Sequence, residues 1–178
     1  MTSTGHDTAE HARGQLEQTP NPGAGFTPPG TDSPRPGAGF TPPGAGFTEL
    51  IGMQIVELGP DRTVLRWTVH PQLHQPYGIV HGGVYCTAVE TAASYAAAAW
   101  FGGRGNVVGV SNQTDFLRAV RDGELTAIAT PVHRGRLQQL WQVEIRDESD
   151  RLVARGQVRL QNIEDADRIG GPERGTDG

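Results

Sequence analysis

The stretch from Val84 to Phe101 is apolar on nearly every side and contains one charged residue, Glu90. Glycines stand before it at 82 and 83 and after it at 102, 103 and 105, which predicts one long helix with a defined start and end. A helix that is apolar all round is normally buried. The rest of the chain must therefore supply a surface that covers this helix.

Runs of alternating apolar and polar residues on both sides of this helix predict the covering strands. They occupy Gln54–Leu58, Thr63–Val69, Asn106–Phe116, Gly123–Arg134, Leu137–Asp147 and Leu152–Ile163. Turn-forming residues between the last four runs predict hairpins, and hence a four-strand meander. A short helix is expected at Phe47–Met53, with Thr48 as its N-cap. The pattern predicts an α+β domain in which one antiparallel sheet wraps around one long central helix.

The two ends of the chain have a composition that cannot bury enough apolar surface to fold. Residues 1–45 are rich in Gly and Pro and predict a disordered tail, and residues 164–178 predict a flexible one. The sequence GAGFT occurs at Gly23–Thr27, Gly37–Thr41 and Gly44–Thr48, which we interpret as a duplicated linker. A docking role for Phe26 and Phe40 is the alternative. The folded domain is expected over residues 46–163.

Composition limits the partners that this chain can have. With 20 acidic and 15 basic residues it lacks the positive charge of a nucleic-acid-binding protein. A single cysteine, Cys86, excludes an internal disulfide and fits a reducing compartment. The N-terminus has no signal-peptide pattern, and the longest wholly apolar run, Tyr95–Phe101, is too short to span a bilayer. We therefore expect a cytoplasmic protein without nucleic-acid or membrane partners.

The start of the long helix combines groups that acyl transfer requires. The backbone N–H groups of Gly82 and Gly83 are unpaired donors at the positive end of a helix. Glu90 can act as a nucleophile or a general base, and the Gln75 amide can bind a carbonyl or a water. Glu90 has no basic residue at i±3 or i±4, so an ion pair with an arginine from a distant strand is its structural alternative. His81 by itself is more typical of a hydrogen-bonded loop residue.

The spaced set Gln75, His81-Gly82-Gly83, Glu90 and Ser94 resembles the active-site segment of hotdog-fold acyl-CoA thioesterases. The branch is that of the PaaI-like, 4-hydroxybenzoyl-CoA and dihydroxynaphthoyl-CoA thioesterases. The resemblance extends over about residues 48–163 and includes the blocks Phe116–Gly123, Pro131–Arg136 and Gln139–Ile145. It implies the hotdog fold and hydrolysis of an aryl or medium-chain acyl-CoA.

The resemblance also implies a role for each matching residue. Glu90 would attack the thioester or activate water, the Gly82 N–H would polarise the carbonyl, and His81 would hold the loop. Gln75 would contact the thioester or the water, and Ser94 would orient Glu90. The family builds its site across a dimer interface, with Glu90 and Gln75 from different subunits, and pairs of dimers often form tetramers. No metal and no cofactor beyond the coenzyme A of the substrate is implied.

The residues expected to contact the substrate match the family pattern less closely than the catalytic residues do. They are Gly83, Val110, Phe116, Leu117, Arg134, Gly135 and Arg136, with Tyr85 as a further apolar lining residue. Phe116 and Leu117 stand where the aryl-CoA members carry two histidines, and Ala154–Gln157 replaces their serine-rich coenzyme A segment. Arg134 and Arg136 flank Gly135 in a turn, where they could bind coenzyme A phosphates or remain solvated.

Three other functions fit the sequence less well than hydrolysis does. A hotdog dehydratase needs a histidine fourteen residues before the glutamate, where this chain has Pro76. A hydratase needs an Asp–His pair near the helix start, and no aspartate lies between Asp61 and Asp115. A non-catalytic acyl-CoA-binding protein would be expected to lose the carboxylate, and Glu90 is present.

Overall fold

The computed structural model describes residues 46–164. The predicted tails, except Glu164, and the repeat copies at Gly23–Thr27 and Gly37–Thr41 lie outside the described residues. The elements are α1 (Phe47–Ile51), β1 (Gln54–Leu58), β2 (Thr63–Thr68), α2 (Gly82–Phe101), β3 (Asn106–Phe116), β4 (Glu124–Arg134), β5 (Gln138–Asp147) and β6 (Leu152–Ile163). Two 3₁₀ turns, Pro71–Leu73 and Gly102–Arg104, flank α2. Within residues 46–164, no helix is long and apolar enough to cross a membrane.

The predicted elements agree closely with the observed ones. All six strands are confirmed to within one residue at each end, and α2 begins at Gly82, inside the predicted glycine pair. The N-cap prediction for Thr48 is wrong, because the N-cap of α1 is Gly46, two residues earlier. Gly46 has a φ of 74°, a left-handed conformation that favours glycine over threonine.

The pairing of the strands differs from the predicted meander. The sheet is antiparallel with the order β1-β2-β4-β5-β6-β3, so β3 pairs with β6 and not with β4. Both edges of β4 are already occupied, by β2 and by β5. Val120–Gly123, predicted as a hairpin turn, is therefore part of a crossover, residues 117–123, that runs from the edge of the sheet to its centre. The hairpins after β4 and β5 are confirmed.

The core lies between α2 and the concave face of the sheet. The helix contacts all six strands, most extensively β3. Its alanine-rich face is fully buried against large side chains such as Trp141, Ile145 and Leu160. One stripe of α2 stays half-buried, because the sheet does not close over it, and this stripe includes Cys86, Glu90 and Ser94. The α+β class and the hotdog arrangement of one sheet around one helix are confirmed.

Candidate active site

The start of α2 is fixed by a histidine cap. His81 is the N-cap residue, and its Nδ1 accepts a hydrogen bond from the Gly83 N–H at 2.9 Å. The Gly83 donor is thereby used within the protein. The Gly82 N–H has no hydrogen-bond partner among residues 46–164 and is the donor left available.

A cleft of about 670 Å³ opens at this end of the helix. It is lined by Gln75, Pro76, Ile79, Val80, His81, Gly82, Gly83, Tyr85, Cys86 and the segment 116–119. Six of the predicted site residues therefore share one cavity with the predicted lining residue Tyr85: Gln75, His81, Gly82, Gly83, Phe116 and Leu117. The lining contains no carboxylate, and most of it is apolar.

Two segments hold the loop that carries Gln75. Within the loop, Gln75 Oε1 accepts a hydrogen bond from the Tyr77 N–H at 3.1 Å. The crossover then ties the loop down, since Arg121 donates to the carbonyls of Gly78 at 2.9 Å and Tyr77 at 3.2 Å. His74 Nε2 also lies 2.7 Å from the Arg121 carbonyl. The Gln75 Nε2 group has no protein partner within the described range and is free to bind a ligand.

Two aromatic rings form the wall next to the free donor. The ring of Phe116 lies directly on Gly82, where a Cβ atom would come within 2.8 Å of it. Phe116 also packs on Tyr85, with ring centroids 5.9 Å apart. Tyr85 is 3% exposed and its hydroxyl has no hydrogen-bond partner among the described residues. Burial raises the pKa of Tyr85 to about 12, so its phenol is neutral at any physiological pH.

Glu90 is held by β3 and not by an ion pair. Its Oε2 accepts a hydrogen bond from Asn112 Nδ2 at 2.9 Å, and its other oxygen, Oε1, lies against the Cα of Gly109. Asn112 Nδ2 also donates to the Cys86 carbonyl at 3.1 Å, and Asn112 Oδ1 accepts from Thr114 at 2.7 Å. No ion pair to Glu90 occurs within the part of the chain that the structure describes. Among the described residues, Glu90 is therefore held by the neutral amide of Asn112. The alternative interpretation of the sequence, an ion pair with an arginine from a distant strand, is wrong.

A β-bulge in β3 places Gly109 and Asn112 on the same face of the strand. The β3–β6 register shifts between Gly109 and Ser111, which inserts one extra residue, Val110. Gly109 pairs with the buried Leu160 and Asn112 with the buried Val158, so both face the helix. A regular strand would have put Asn112 on the opposite face from Gly109. No pattern in the amino-acid sequence indicates this bulge, so the sequence does not identify Asn112 or Gly109 as site residues.

Glu90 and the cleft are separated within one chain. Glu90 is absent from the cleft lining. It lies eight residues after Gly82 on α2, which places it about 12 Å further along the helix axis. Ser94 is half-buried one turn beyond Glu90, and the structure shows no hydrogen bond between the two. The predicted catalytic residues thus form two groups on the described chain, one around Gly82 and one around Glu90.

The remaining predicted contacts lie outside the cleft. Val110 is 50% exposed on the edge strand β3. Arg134 donates to Asp61 at 2.8 Å and to the Pro60 carbonyl at 2.9 Å, and its guanidinium lies 5.6 Å from the Trp100 ring centre. Gly135 and Arg136 follow in the β4–β5 hairpin, whose carbonyls accept hydrogen bonds from Asn162. Their substrate contacts stay predictions.

Comparison with known proteins finds matches over about two thirds of the chain. The thioesterase superfamily model matches residues 77–154. A proposed esterase of Mycobacterium tuberculosis is 54% identical over 121 residues, which is 66% of this chain and 86% of that protein. A 1,4-dihydroxy-2-naphthoyl-CoA hydrolase of Listeria monocytogenes is 34% identical over 108 residues, 61% of this chain and 88% of the hydrolase. The crystal structure of S. sahachiroi AziG has a TM-score of 0.66 at 54% identity, covering 67% of this chain and 97% of AziG.

The raised pKa of Tyr85 predicts a loss of stability in alkali. A group whose pKa is higher in the folded state than in the unfolded state stabilises the fold by its full amount when the pH is below the unfolded pKa, here 10.0. This stabilisation is lost as the pH rises towards the folded pKa of about 12. Over that range we expect the free energy of unfolding to fall by about 2 kcal/mol through this group. Denaturant unfolding experiments between pH 9 and pH 12 measure this decrease in the free energy of unfolding.

Tyr85→Phe should lack this component, because phenylalanine has no ionisable hydroxyl. Tyr77→Phe is the matched control, since Tyr77 is 83% exposed. An equal alkaline loss in the wild type and in Tyr85→Phe would contradict the assignment.

Proposed function

Because the chain belongs to the thioesterase superfamily, we propose that it hydrolyses acyl-CoA thioesters to a free acid and coenzyme A. The observation that carries the proposal is an unpaired backbone donor, the Gly82 N–H, at the start of a buried helix and inside an apolar cleft. Such a donor suits the oxygen of a neutral acyl group on which negative charge develops. The single reduced thiol of the chain, Cys86, fits a cytoplasmic location for this reaction.

The reaction follows from the two groups on α2. The Gly82 N–H donates to the thioester carbonyl oxygen and stabilises the developing oxyanion, which contributes about 3 to 4 kcal/mol for a donor of this kind. Glu90 either takes the proton of an attacking water or attacks the carbonyl itself, in which case water then hydrolyses the anhydride. On both routes the acyl C–S bond breaks, and the coenzyme A thiolate receives a proton. None of these steps requires a metal or a redox cofactor.

Asn112 prepares Glu90 for this role. Its amide donates to Oε2, which fixes the plane of the carboxylate and leaves Oε1 to accept a proton or to attack. Gly109 leaves the space that Oε1 occupies. We therefore count Asn112 and Gly109 as positioning residues for Glu90.

Two copies of the chain are needed to assemble the complete site. A separation of about 12 Å along one helix is too long for Gly82 and Glu90 of one chain to serve one carbonyl. The strand β3 is an edge of the sheet, and the half-buried stripe of α2 that carries Glu90 lies beside it. Pairing of β3 with β3 of a second copy would cover the edge and the stripe, and would bring each Glu90 towards the other copy's cleft.

The acyl group is expected to be an aryl or medium-chain group. Phe116, Leu117 and Tyr85 offer an apolar surface to the acyl chain. The name of the Listeria relative specifies a bicyclic aryl thioester as its substrate. A release assay for free thiol over phenylacetyl-, benzoyl- and medium-chain acyl-CoA tests the proposed activity directly. If the wild type leaves all of them intact, the hydrolase function is contradicted and a binding role remains.

Replacement of the carboxylate should abolish turnover without unfolding the protein. Glu90→Gln keeps the shape and can still accept from Asn112, but it cannot accept a proton or attack. We expect kcat to fall by about 100- to 10,000-fold. Glu148→Gln is the control, because Glu148 is exposed in the β5–β6 hairpin. Full activity of Glu90→Gln would exclude both proposed roles of Glu90.

The contact between Gly109 and Glu90 predicts a separation of activity from stability. In Gly109→Ala the new Cβ would occupy the place of Glu90 Oε1, and the flexible carboxylate can move away at little cost. We expect kcat to fall about 10- to 100-fold, while the melting temperature changes little. In Gly103→Ala the Cβ meets nothing within 4 Å, so this variant should keep its activity. A Gly109→Ala protein with normal kcat would show that this position of Glu90 is not required.

A complementation experiment tests the shared site. Glu90→Gln and Gln75→Ala chains should each be inactive alone. Unfolded and refolded together in equal amounts, they form mixed dimers in which one site has both residues intact. We expect about a quarter of the wild-type activity to return. No recovery, with mixed dimers demonstrated by mass, would place both residues of a site on the same chain.

A further inference from the structure

The turn that carries Gln75 is hydrogen-bonded to only one other segment of the described chain. This turn, residues 75–80, is closed by two internal backbone hydrogen bonds of 2.9 Å. Among the described residues, every hydrogen bond that leaves the turn goes to Val120 or Arg121, in the crossover. The position of Gln75 in the cleft therefore depends on these two residues.

Arg121 makes most of these bonds. Its Nη1 donates to the carbonyl of Gly78 at 2.9 Å and to that of Tyr77 at 3.2 Å. Gly78 permits this approach, because its φ is 69° and a Cβ atom there would lie only 3.2 Å from Nη1. At the base of the turn, His74 Nε2 lies 2.7 Å from the backbone carbonyl of Arg121. The arginine is thus bonded to the turn through both its side chain and its main chain.

The crossover is a firm support for the turn, because the sheet holds both of its ends. At its start, two consecutive backbone N–H groups donate to the carbonyl of Val153 in β6, at 2.9 and 3.1 Å. At its end, the Gly123 carbonyl accepts a hydrogen bond of 2.8 Å from the N–H of Val69, directly after β2. Arg121 lies between these two anchors, so its side chain extends from a backbone that is fixed to the sheet on either side.

The side-chain amide of Gln75 moves with the turn. Its Oε1 accepts a hydrogen bond from the Tyr77 N–H at 3.1 Å, and this bond directs Nε2 away from the turn as the group that can bind a ligand. A shift of the turn would therefore displace the backbone and the amide of Gln75 together. A misplacement of about 1 Å can reduce a reaction rate by up to about 100-fold.

We propose that Arg121 is a positioning residue for Gln75, and that it holds the turn against the crossover in the place where Gln75 serves the reaction. This inference rests on the proposed function and on the expected contact of Gln75 with the thioester or the water. Arg121 is not among the residues that line the cleft, so it acts through the turn and has no contact with the substrate.

Replacement of Arg121 tests the proposal by kinetics. Arg121→Met keeps most of the side-chain length but has no N–H donors. We expect kcat to fall about tenfold, while KM changes by less than about twofold, because the apolar wall of the cleft is unaltered. Arg121→Lys can still donate a hydrogen bond and should recover part of the loss.

Arg104→Met is the matched control for these variants. Arg104 is also exposed and also donates to two backbone carbonyls, both at 2.7 Å, but it lies at the other end of α2 from the cleft. This variant loses bonds of the same kind and should keep the wild-type kcat. Melting temperatures of all the variants show whether they are folded at the assay temperature.

Fluorine NMR follows the turn without any need for turnover. The chain has three tyrosines, so the full chain labelled with 3-fluorotyrosine gives three signals, and Tyr77→Phe identifies the signal of Tyr77. Tyr77 is 83% exposed on the turn and accepts one of the Arg121 bonds. We expect its signal to shift or split in Arg121→Met and to stay unchanged in Arg104→Met.

Three results would overturn the proposal. They are a wild-type kcat in Arg121→Met, an equal loss of activity in Arg104→Met, and a loss of kcat in Arg121→Met with the Tyr77 signal unchanged. Failure of the hydrolase function appears separately, as an absence of thiol release from every acyl-CoA by the wild type. The Tyr77 signal would then still show whether Arg121 holds the turn.

Discussion

The burial of α2 by a single sheet is the constraint on which the rest of this structure depends. A helix of twenty residues with only one charged side chain cannot remain in water, and a flat sheet would cover only one of its faces. The sheet therefore curves around it, and all six strands reach the helix. Since the sheet remains open at β3, one stripe of α2 is left half-covered, and the single carboxylate lies on that stripe.

The same geometry explains why the chemistry is divided into two groups. The free Gly82 N–H exists only at the start of a helix, where the first donors have no partners within the helix. Glu90 must lie further along, where β3 can supply Asn112 to hold it. A helix rises about 1.5 Å per residue, so one chain cannot bring these two groups to the same atom. The open edge that leaves the stripe uncovered is also the surface through which a second copy would complete the site.

The elements of the fold were predictable, and so were the hairpin pairs β4–β5 and β5–β6, but the neighbours of β3 and β4 across the crossover were not. Alternation of apolar residues gives the bounds of β4 or β6 directly, since each strand has one buried face. It does not identify the neighbours of a strand, because a turn-like segment such as 120–123 is equally compatible with a hairpin and with a crossover. The bulge at Val110 was not predictable either. Most of β3 is exposed on both faces, so the bulge, which moves the following residues to the other face, leaves no mark in the pattern of polar and apolar residues.

The sequence by itself determined that a buried helix carries one carboxylate, starts at a glycine pair and follows a loop with Gln75. Those properties follow from local composition and spacing. Only the tertiary structure decided that Asn112 and Gly109 hold Glu90, that Phe116 covers Gly82 and that Arg118 reaches the cleft. Each of these contacts joins residues about 20 or more positions apart. They depend on where β3 pairs and where the crossover runs, and the closing of one sheet over one helix settles both.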